Sequence, residues 1–250
     1  MRVFALSDLH VDHEPNARWV ERLPGGDYRH DVLLLAGDVS HSLHRLQWTF
    51  ETLVPRFRKV LYVPGNHELW VPEHDATSLE KLEQVLALAA ACGVGTSAYQ
   101  DESVAFFPLF GWYDYSFGAP SEELFALWSD YRFCRWPADI SAADVAALFM
   151  ARNVDRAELE PGPAVSFSHF VPRADLLPST SRWSSLLLPV IGTSALERQI
   201  RALESAVHVY GHSHSNRDVT VDGIRYVNNA LGYPLERGVS TRGLLYVYES

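Results

Sequence analysis

Five short apolar runs in this 250-residue chain each break off at an Asp, a His or an Asn, and that repetition constrains the fold more than any other feature. Arg2–Leu6 leads into Ser7-Asp8-Leu9-His10, 32–35 into Ala36-Gly37-Asp38, and 60–63 into Pro64-Gly65-Asn66-His67-Glu68. Ala164–Ser168 ends at His169, and 207–210 ends at Gly211-His212-Ser213-His214. Runs of four or five apolar, β-branched-rich residues closed by Gly or Pro read as buried strands. In an open α/β sheet the ligand lies beyond the carboxyl ends of such strands. Residues spread from position 8 to position 214 would therefore converge on one place.

The set can be tested against coordination chemistry. Two adjacent cations need roughly seven or eight protein ligands, a bridging group and room for water. Asp8, His10, Asp38, Asn66, His169, His212 and His214 supply seven side chains of mixed imidazole, carboxylate and amide character. Such donors suit manganese, iron, nickel, cobalt or zinc, and no thiolate among them selects zinc alone. The expectation is therefore a centre of two divalent or trivalent ions.

Asp8-x-His10, Gly37-Asp38, Gly65-Asn66-His67-Glu68, His169 and Gly211-His212-x-His214 resemble, in order, the five blocks of the calcineurin-like metallophosphoesterases. The thirty residues from Asp8 to Asp38 and the twenty-eight from Asp38 to Asn66 leave room for a strand, a helix and their loops. The resemblance implies that Asp8, His10 and His214 hold one metal, that Asn66, His169 and His212 hold another, and that Asp38 bridges. It implies that His67 protonates the leaving oxygen while water made acidic between the cations attacks phosphorus in line. A histidine suits that role because its ordinary pKa of about 6.5 lies near working pH. There is one departure. The protein serine/threonine phosphatases of the superfamily continue as Gly-Asp-x-Val-Asp-Arg-Gly, whereas here the block reads Gly37-Asp38-Val39-Ser40-His41-Ser42. His41 and Ser42 replace the orienting Asp and the phosphate-binding Arg, so any partner that orients His67 must come from elsewhere.

Composition narrows the rest. The length suits one α/β domain, 1–250, and 47% apolar residues are ample for its core. A net charge of −10 argues against nucleic acid as an obligate partner. Two cysteines, Cys92 and Cys134, make no disulfide framework. The longest apolar stretch, 85–92, is too short to span a bilayer, and no signal peptide is recognisable, so the expectation is a cytoplasmic protein with no membrane partner. A homo-oligomer is compatible with this composition.

Helical stripes fall between the ligand-bearing runs: 43–57, then 78–92 opened by the capping box Thr77-x-x-Glu80 and closed by Gly93. Another helix opens at Ser194-x-x-Glu197 and runs to about Ser205. Around Asp222-Gly223, 219–221 and 224–227 read as a type I′ hairpin, and 244–248 as a last strand. The fold class is therefore α/β: two packed sheets flanked by helices, with the metal site at the carboxyl ends of the strands. The resemblance implies the same sandwich.

Twelve of the thirty aromatic residues fall within 106–136, too many for a solvent-facing loop. They are expected to form a cap-like insertion at about 106–160, most rings packed together and a minority facing the cleft, with Tyr113, Asp114 and Tyr115 the first to inspect. Among the remaining polar residues, His208 lies inside a strand and should pack or hydrogen-bond there, His41 and His44 read as solvent-exposed loop positions, and His74 lies outside the motif blocks. Glu68 reads as supporting the ligands rather than acting as a base. Arg173, Arg182, Arg217 and Arg237 could each grip a phosphate.

Three functions compete. The first is a phosphatase acting on small phosphomonoesters, with a small phosphorylated substrate as its partner. The alternative is a phosphodiesterase acting on nucleotide or cyclic-nucleotide diesters. A non-catalytic binding scaffold ranks last, because all seven ligands and His67 are present.

Overall fold

β1 (Arg2–Leu6), β2 (Tyr28–Ala36) and β3 (Phe57–Val63) run parallel, joined by crossover helices α1 (Glu14–Glu21) and α2 (Leu43–Leu53). Their apolar runs do not alternate with polar residues because both faces are covered; Val32 to Ala36 are all fully buried. The structure, a computed structural model, describes residues 1–72, 76–101, 104–155, 159–178, 182–236 and 242–249. His74 and Arg237 lie outside the described residues, as does the side chain of Arg182.

A second sheet is built from β4 (Tyr99–Asp101), β5 (Val104–Leu109), β6 (Ala164–Ser168), β7 (Ser205–Tyr210), β8 (Arg217–Val221) and β9 (Ile224–Asn228), in the order β4-β5-β6-β7-β9-β8. Its four central strands are parallel. β8 and β9 form the expected hairpin, with Asp222 at φ 48° and Gly223 at φ 85°, as a type I′ turn requires. β10 (Leu245–Glu249) returns to the first sheet beside β1, giving β10-β1-β2-β3.

Three apolar layers hold the arrangement together. Val3, Leu34, Val63, Phe106, Phe167 and Val209 fill the space between the sheets. α1, α2 and α3 (Ser78–Ala91) cover the outer face of the first sheet with Val20, Phe50 and Val85. α4 (Glu122–Leu127), α5 (Asp130–Phe133), α6 (Ala142–Met150), α7 (Arg182–Ile191) and α8 (Ser194–Ala202) lie on the chain that covers the second sheet. The result is the two-sheet α/β sandwich that the strand pattern indicates. Among the described residues, no helix is long and apolar enough to cross a membrane.

Several local expectations need correction. The helix from Leu43 stops at Leu53; Pro55 offers no N–H, the chain tightens into a 3₁₀ turn over Val54–Arg56, and Phe57 already belongs to β3. α8 is capped by Thr193, whose hydroxyl accepts from the Ala195 N–H at 3.1 Å. Glu197 therefore closes no capping box; it accepts from Arg173, Arg201 and the Tyr226 hydroxyl instead. The helix ends at Ala202, since Glu204 turns left-handed at φ 52° to enter β7. Phe106 and Phe107 are β5 residues, so the aromatic segment proper begins after Leu109.

Asn228-Asn229-Ala230, which carry no readable signal in sequence, join the two sheets. Asn229 donates to the carbonyls of Ala5 (2.8 Å) and Gly243 (2.9 Å), its own carbonyl accepts from Ser7, and Ala230 bridges to Ser7. That seam aligns the carboxyl end of β1 with the end of β9.

Candidate metal centre

All eight residues singled out from the sequence meet at the carboxyl ends of the strands. Asp8 and His10 follow β1, Asp38 follows β2, Asn66 and His67 follow β3, His169 follows β6, and His212 and His214 follow β7. Asp8, His10, Asp38, His212 and His214 have positive φ between 41° and 66°. Non-glycine residues adopt that region at a cost, and a cluster of them is a mark of functional strain. Two glycines make the approach possible. A Cβ on Gly65 would collide with Asp38 Oδ1 and with His169 Nε2, and one on Gly37 with the His169 ring.

Hydrogen bonding sets where each imidazole lone pair points. His169 Nδ1 lies 2.9 Å from the Ala36 carbonyl, which can only accept, so Nδ1 carries the proton and Nε2 is bare. His212 Nε2 lies 3.1 Å from the Val190 carbonyl, so its Nδ1 is bare. Those two bare nitrogens face each other at 3.0 Å, and Asn66 Oδ1 lies 3.1 Å from His169 Nε2. Burial pulls both imidazoles below their ordinary pKa, so no proton resolves the clash. Three acceptors therefore converge with no donor between them, which is what a cation satisfies.

The other half brings a second set of ligand atoms together. His214 donates from Nδ1 to Glu236 at 2.8 Å, which turns its Nε2 toward His10 Nε2 (3.1 Å) and Asp8 Oδ1 (3.3 Å). Burial pulls His214 down, but Asp8 and Glu236 outweigh it and lift it to about 10, so the pocket favours positive charge. Asp38 stands between the halves, Oδ1 at 3.5 Å from His169 Nε2 and Oδ2 at 4.0 Å from His10 Nε2. Burial, and then Glu68 and Asp8, push the Asp38 carboxyl well up, a strain that adjacent cations relieve. Asp8, His10 and His214 form one group able to hold a metal ion, and Asp38, His169 and His212 another. His67 forms a third with His10 and Asp38, so its separate role rests on other contacts.

Those contacts are with the loops around it. The His67 ring stacks on Trp70 at 3.7 Å between centroids, and its Nε2 faces the Tyr233 hydroxyl at 3.5 Å and Asp38 Oδ2 at 3.7 Å. Burial, then His169 and His214, hold His67 down to about 3; an anionic substrate beside Nε2 is the charge that would restore its proton. His41 is not its partner but bonds Asp12, Nδ1 to Oδ1, at 3.5 Å.

Glu68 is wholly buried. It accepts from the N–H groups of Gly65, Asp38, Val39 and Ser40, holding the loops after β2 and β3 together. Burial pushes its carboxyl up to about 7 against the pull of those donors. His208 is satisfied inside β7 by the Ser166 and Ser168 hydroxyls at 2.8 and 3.0 Å. Arg173 pairs with Asp175 and Glu197, and Arg217 donates to the Leu176 carbonyl, so neither is held toward the metal groups.

Among the described residues, several that sequence reasoning did not single out touch the site. Tyr233 stacks on His10 at 4.4 Å, Glu236 sets the His214 tautomer, Trp70 stacks on His67, Trp128 meets the His212 ring edge-on at 5.7 Å, and Asp130 bonds Asn66. None stands in a recognisable motif; Asp130 opens the one-turn helix α5 and the others lie on loops. Tyr113 is a correction in the other direction: it is buried against Trp112 and Phe170, not facing the cleft.

A profile of the calcineurin-like phosphoesterases matches residues 1–216. The chain belongs to that family. It is 30% identical over 273 aligned positions to acyl-carrier-protein phosphodiesterase PptH of Mycobacterium tuberculosis, with 94% of this chain and 78% of that protein covered. A crystal structure of phosphopantetheinyl hydrolase PptH from M. tuberculosis superposes with a TM-score of 0.79 at 26% identity, covering 100% of this chain and 96% of that one. Family membership and the convergence of buried Asp and His side chains make this protein a metal-dependent phosphoesterase.

Proposed function

We propose that this protein is a phosphodiesterase with a two-metal centre, and that its substrate is a phosphopantetheinyl arm esterified to a carrier protein. Asp8, His10 and His214 would hold one ion, Asn66, His169 and His212 the other, and Asp38 would lie between them. The observation that carries the two-ion reading is the gathering of ligand atoms on either side of Asp38: the bare His169 and His212 nitrogens with Asn66 Oδ1 on one, and His10 Nε2 and Asp8 Oδ1 within 3.3 Å of His214 Nε2 on the other. The donors are imidazole, carboxylate and amide, which suits manganese, iron, nickel, cobalt or zinc. Bound there, two cations supply neutralisation of phosphoryl charge and an acidified water. The rest falls to the protein. His67 protonates the leaving oxygen, Trp70 fixes the plane of its ring, and the Tyr233 hydroxyl meets its Nε2.

Sequence alone ranks the phosphomonoester first; two observations support the diester instead. A monoester arrives with up to two negative charges and a diester with one. Arg173 and Arg217, the arginines nearest in sequence to His169 and His214, are tied up elsewhere. The relative named as an acyl-carrier-protein phosphodiesterase supports the same choice.

The reading is tested with manganese-loaded protein offered p-nitrophenyl phosphate, bis-p-nitrophenyl phosphate, a cyclic nucleotide and a phosphopantetheinylated carrier protein, the last followed by mass spectrometry. Loss of the arm from the carrier, with kcat/KM above that for the nitrophenyl monoester, is the expected result. A monoester preference with an intact carrier would restore the phosphatase reading.

A further inference from the structure

Asp130 opens α5 within the aromatic segment, and its carboxylate is buried, 2% exposed. Oδ1 accepts from Asn66 Nδ2 at 2.8 Å and from Trp70 Nε1 at 2.7 Å; Oδ2 accepts from Trp128 Nε1 at 2.8 Å. The Tyr113 side chain bonds it as well. The indole donors each lead to a site residue, since Trp70 stacks on His67 and Trp128 meets His212 edge-on. The backbone ties the segment to the loop after β3, Val71 N–H to Phe133 carbonyl at 2.9 Å, and to the start of α3, Ser78 N–H to Arg135 carbonyl at 2.8 Å.

An indole N–H can only donate, so the group between two of them must accept. A carboxylate does this, and it leaves the third partner, Asn66, no choice of orientation. Its Nδ2 must face Asp130, which turns Oδ1 toward His169 Nε2 at 3.1 Å. A reversed amide would set an oxygen against the Asp130 carboxylate and an NH₂ group, useless as a ligand, among the bare imidazole nitrogens.

We infer that Asp130 is a positioning residue that selects the oxygen of Asn66 as a metal ligand and, through Trp70, fixes the ring of His67. The inference rests on the proposed ligand set. It gives the aromatic segment a definite role, because the segment delivers the one carboxylate that orients the only amide in that set. A residue of this kind is worth about 10- to 100-fold in metal affinity.

The test is manganese titration by calorimetry, with electron paramagnetic resonance to separate coupled pairs from single ions and circular dichroism to confirm the fold. Wild type should take up two ions; failure to do so would remove the ligand set itself and leave Asp130 out of the question. Given two ions, Asp130→Asn should weaken one at least tenfold, leave the other, and replace the coupled signal with that of a single ion. Asn66→Asp gives an answer without altering Asp130. A carboxylate is ordinarily the better ligand, yet here it would oppose Asp130, so binding should weaken rather than tighten. The double variant Asp130→Asn with Asn66→Asp restores the donor–acceptor match to position 66 but turns the new amide NH₂ toward the Trp70 N–H as well, so it should recover part of what Asn66→Asp loses and stay below wild type. Wild-type affinity in Asp130→Asn, tighter binding in Asn66→Asp, or a double variant no better than Asn66→Asp would each overturn the inference.

Discussion

Gly65 contributes to the centre by what it lacks. With a methyl group there, Asp38 and His169 could not both keep their places, because the added carbon would overlap Asp38 Oδ1 and crowd His169 Nε2. Gly65→Ala should therefore leave a folded protein, at a cost of about 1–3 kcal/mol in stability for the overpacking. Metal content should fall below two ions per chain, read by elemental analysis of manganese-loaded protein. Full metal content in that variant would mean that the bridge is not where Asp38 now sits. His67 is tested by chemistry rather than by binding. His67→Gln should lose roughly 10²–10⁴ in turnover on a diester with a poor leaving group, as expected when a general acid is removed. With nitrophenolate as the leaving group, which departs without a proton, the loss should be much smaller. An equal loss on both would identify His67 as a binding or ligand residue, consistent with its place beside His10 and Asp38.

The strands were the most readable elements. The ligand-bearing runs are largely buried on both faces, so composition and length sufficed, and Gly37, Pro64 and Gly211 located the carboxyl ends of β2, β3 and β7. Helix ends were less readable. Ser194 looks like a cap but Thr193 is one, and Pro55 shortens a stripe that by spacing alone runs on to Phe57. The aromatic segment resisted reading because its order depends on tertiary partners: buried Trp112, Phe149 and Phe170 pack in one cluster with Tyr113, while Trp128 and Asp130 turn toward the metal groups. At this scale the second sheet carries a pH dependence of its own. Burial holds His208 down to about 3 against an ordinary 6.5, so the unfolded chain takes up a proton that the folded chain refuses. The stability it contributes is complete above about pH 6.5 and declines as pH falls toward about 3. Denaturant unfolding at several pH values should show His208→Gln losing close to one proton's worth of that slope, of the order of 1 kcal/mol per pH unit. An unchanged slope would show that His208 is free to protonate in the folded protein.

Across the whole molecule, the seven proposed ligands and His67 were legible because each stands at a strand end, where chain geometry leaves little freedom. Asp130, Tyr233 and Glu236 were not, because Asp130 reaches the site from a one-turn helix and the other two from a loop, and the path of each follows from packing rather than from local pattern. The two sheets place the ligand-bearing ends side by side, and the Asn229 seam between β1 and β9 keeps them aligned. That architecture yields two facing sets of ligand atoms with the Asp38 carboxylate between them. The most direct test is anomalous diffraction from manganese-loaded crystals. Two peaks are predicted on either side of Asp38, one within bonding distance of Asp8, His10 and His214, the other of Asn66, His169 and His212. A single peak, or a pair elsewhere on the molecule, would contradict the account.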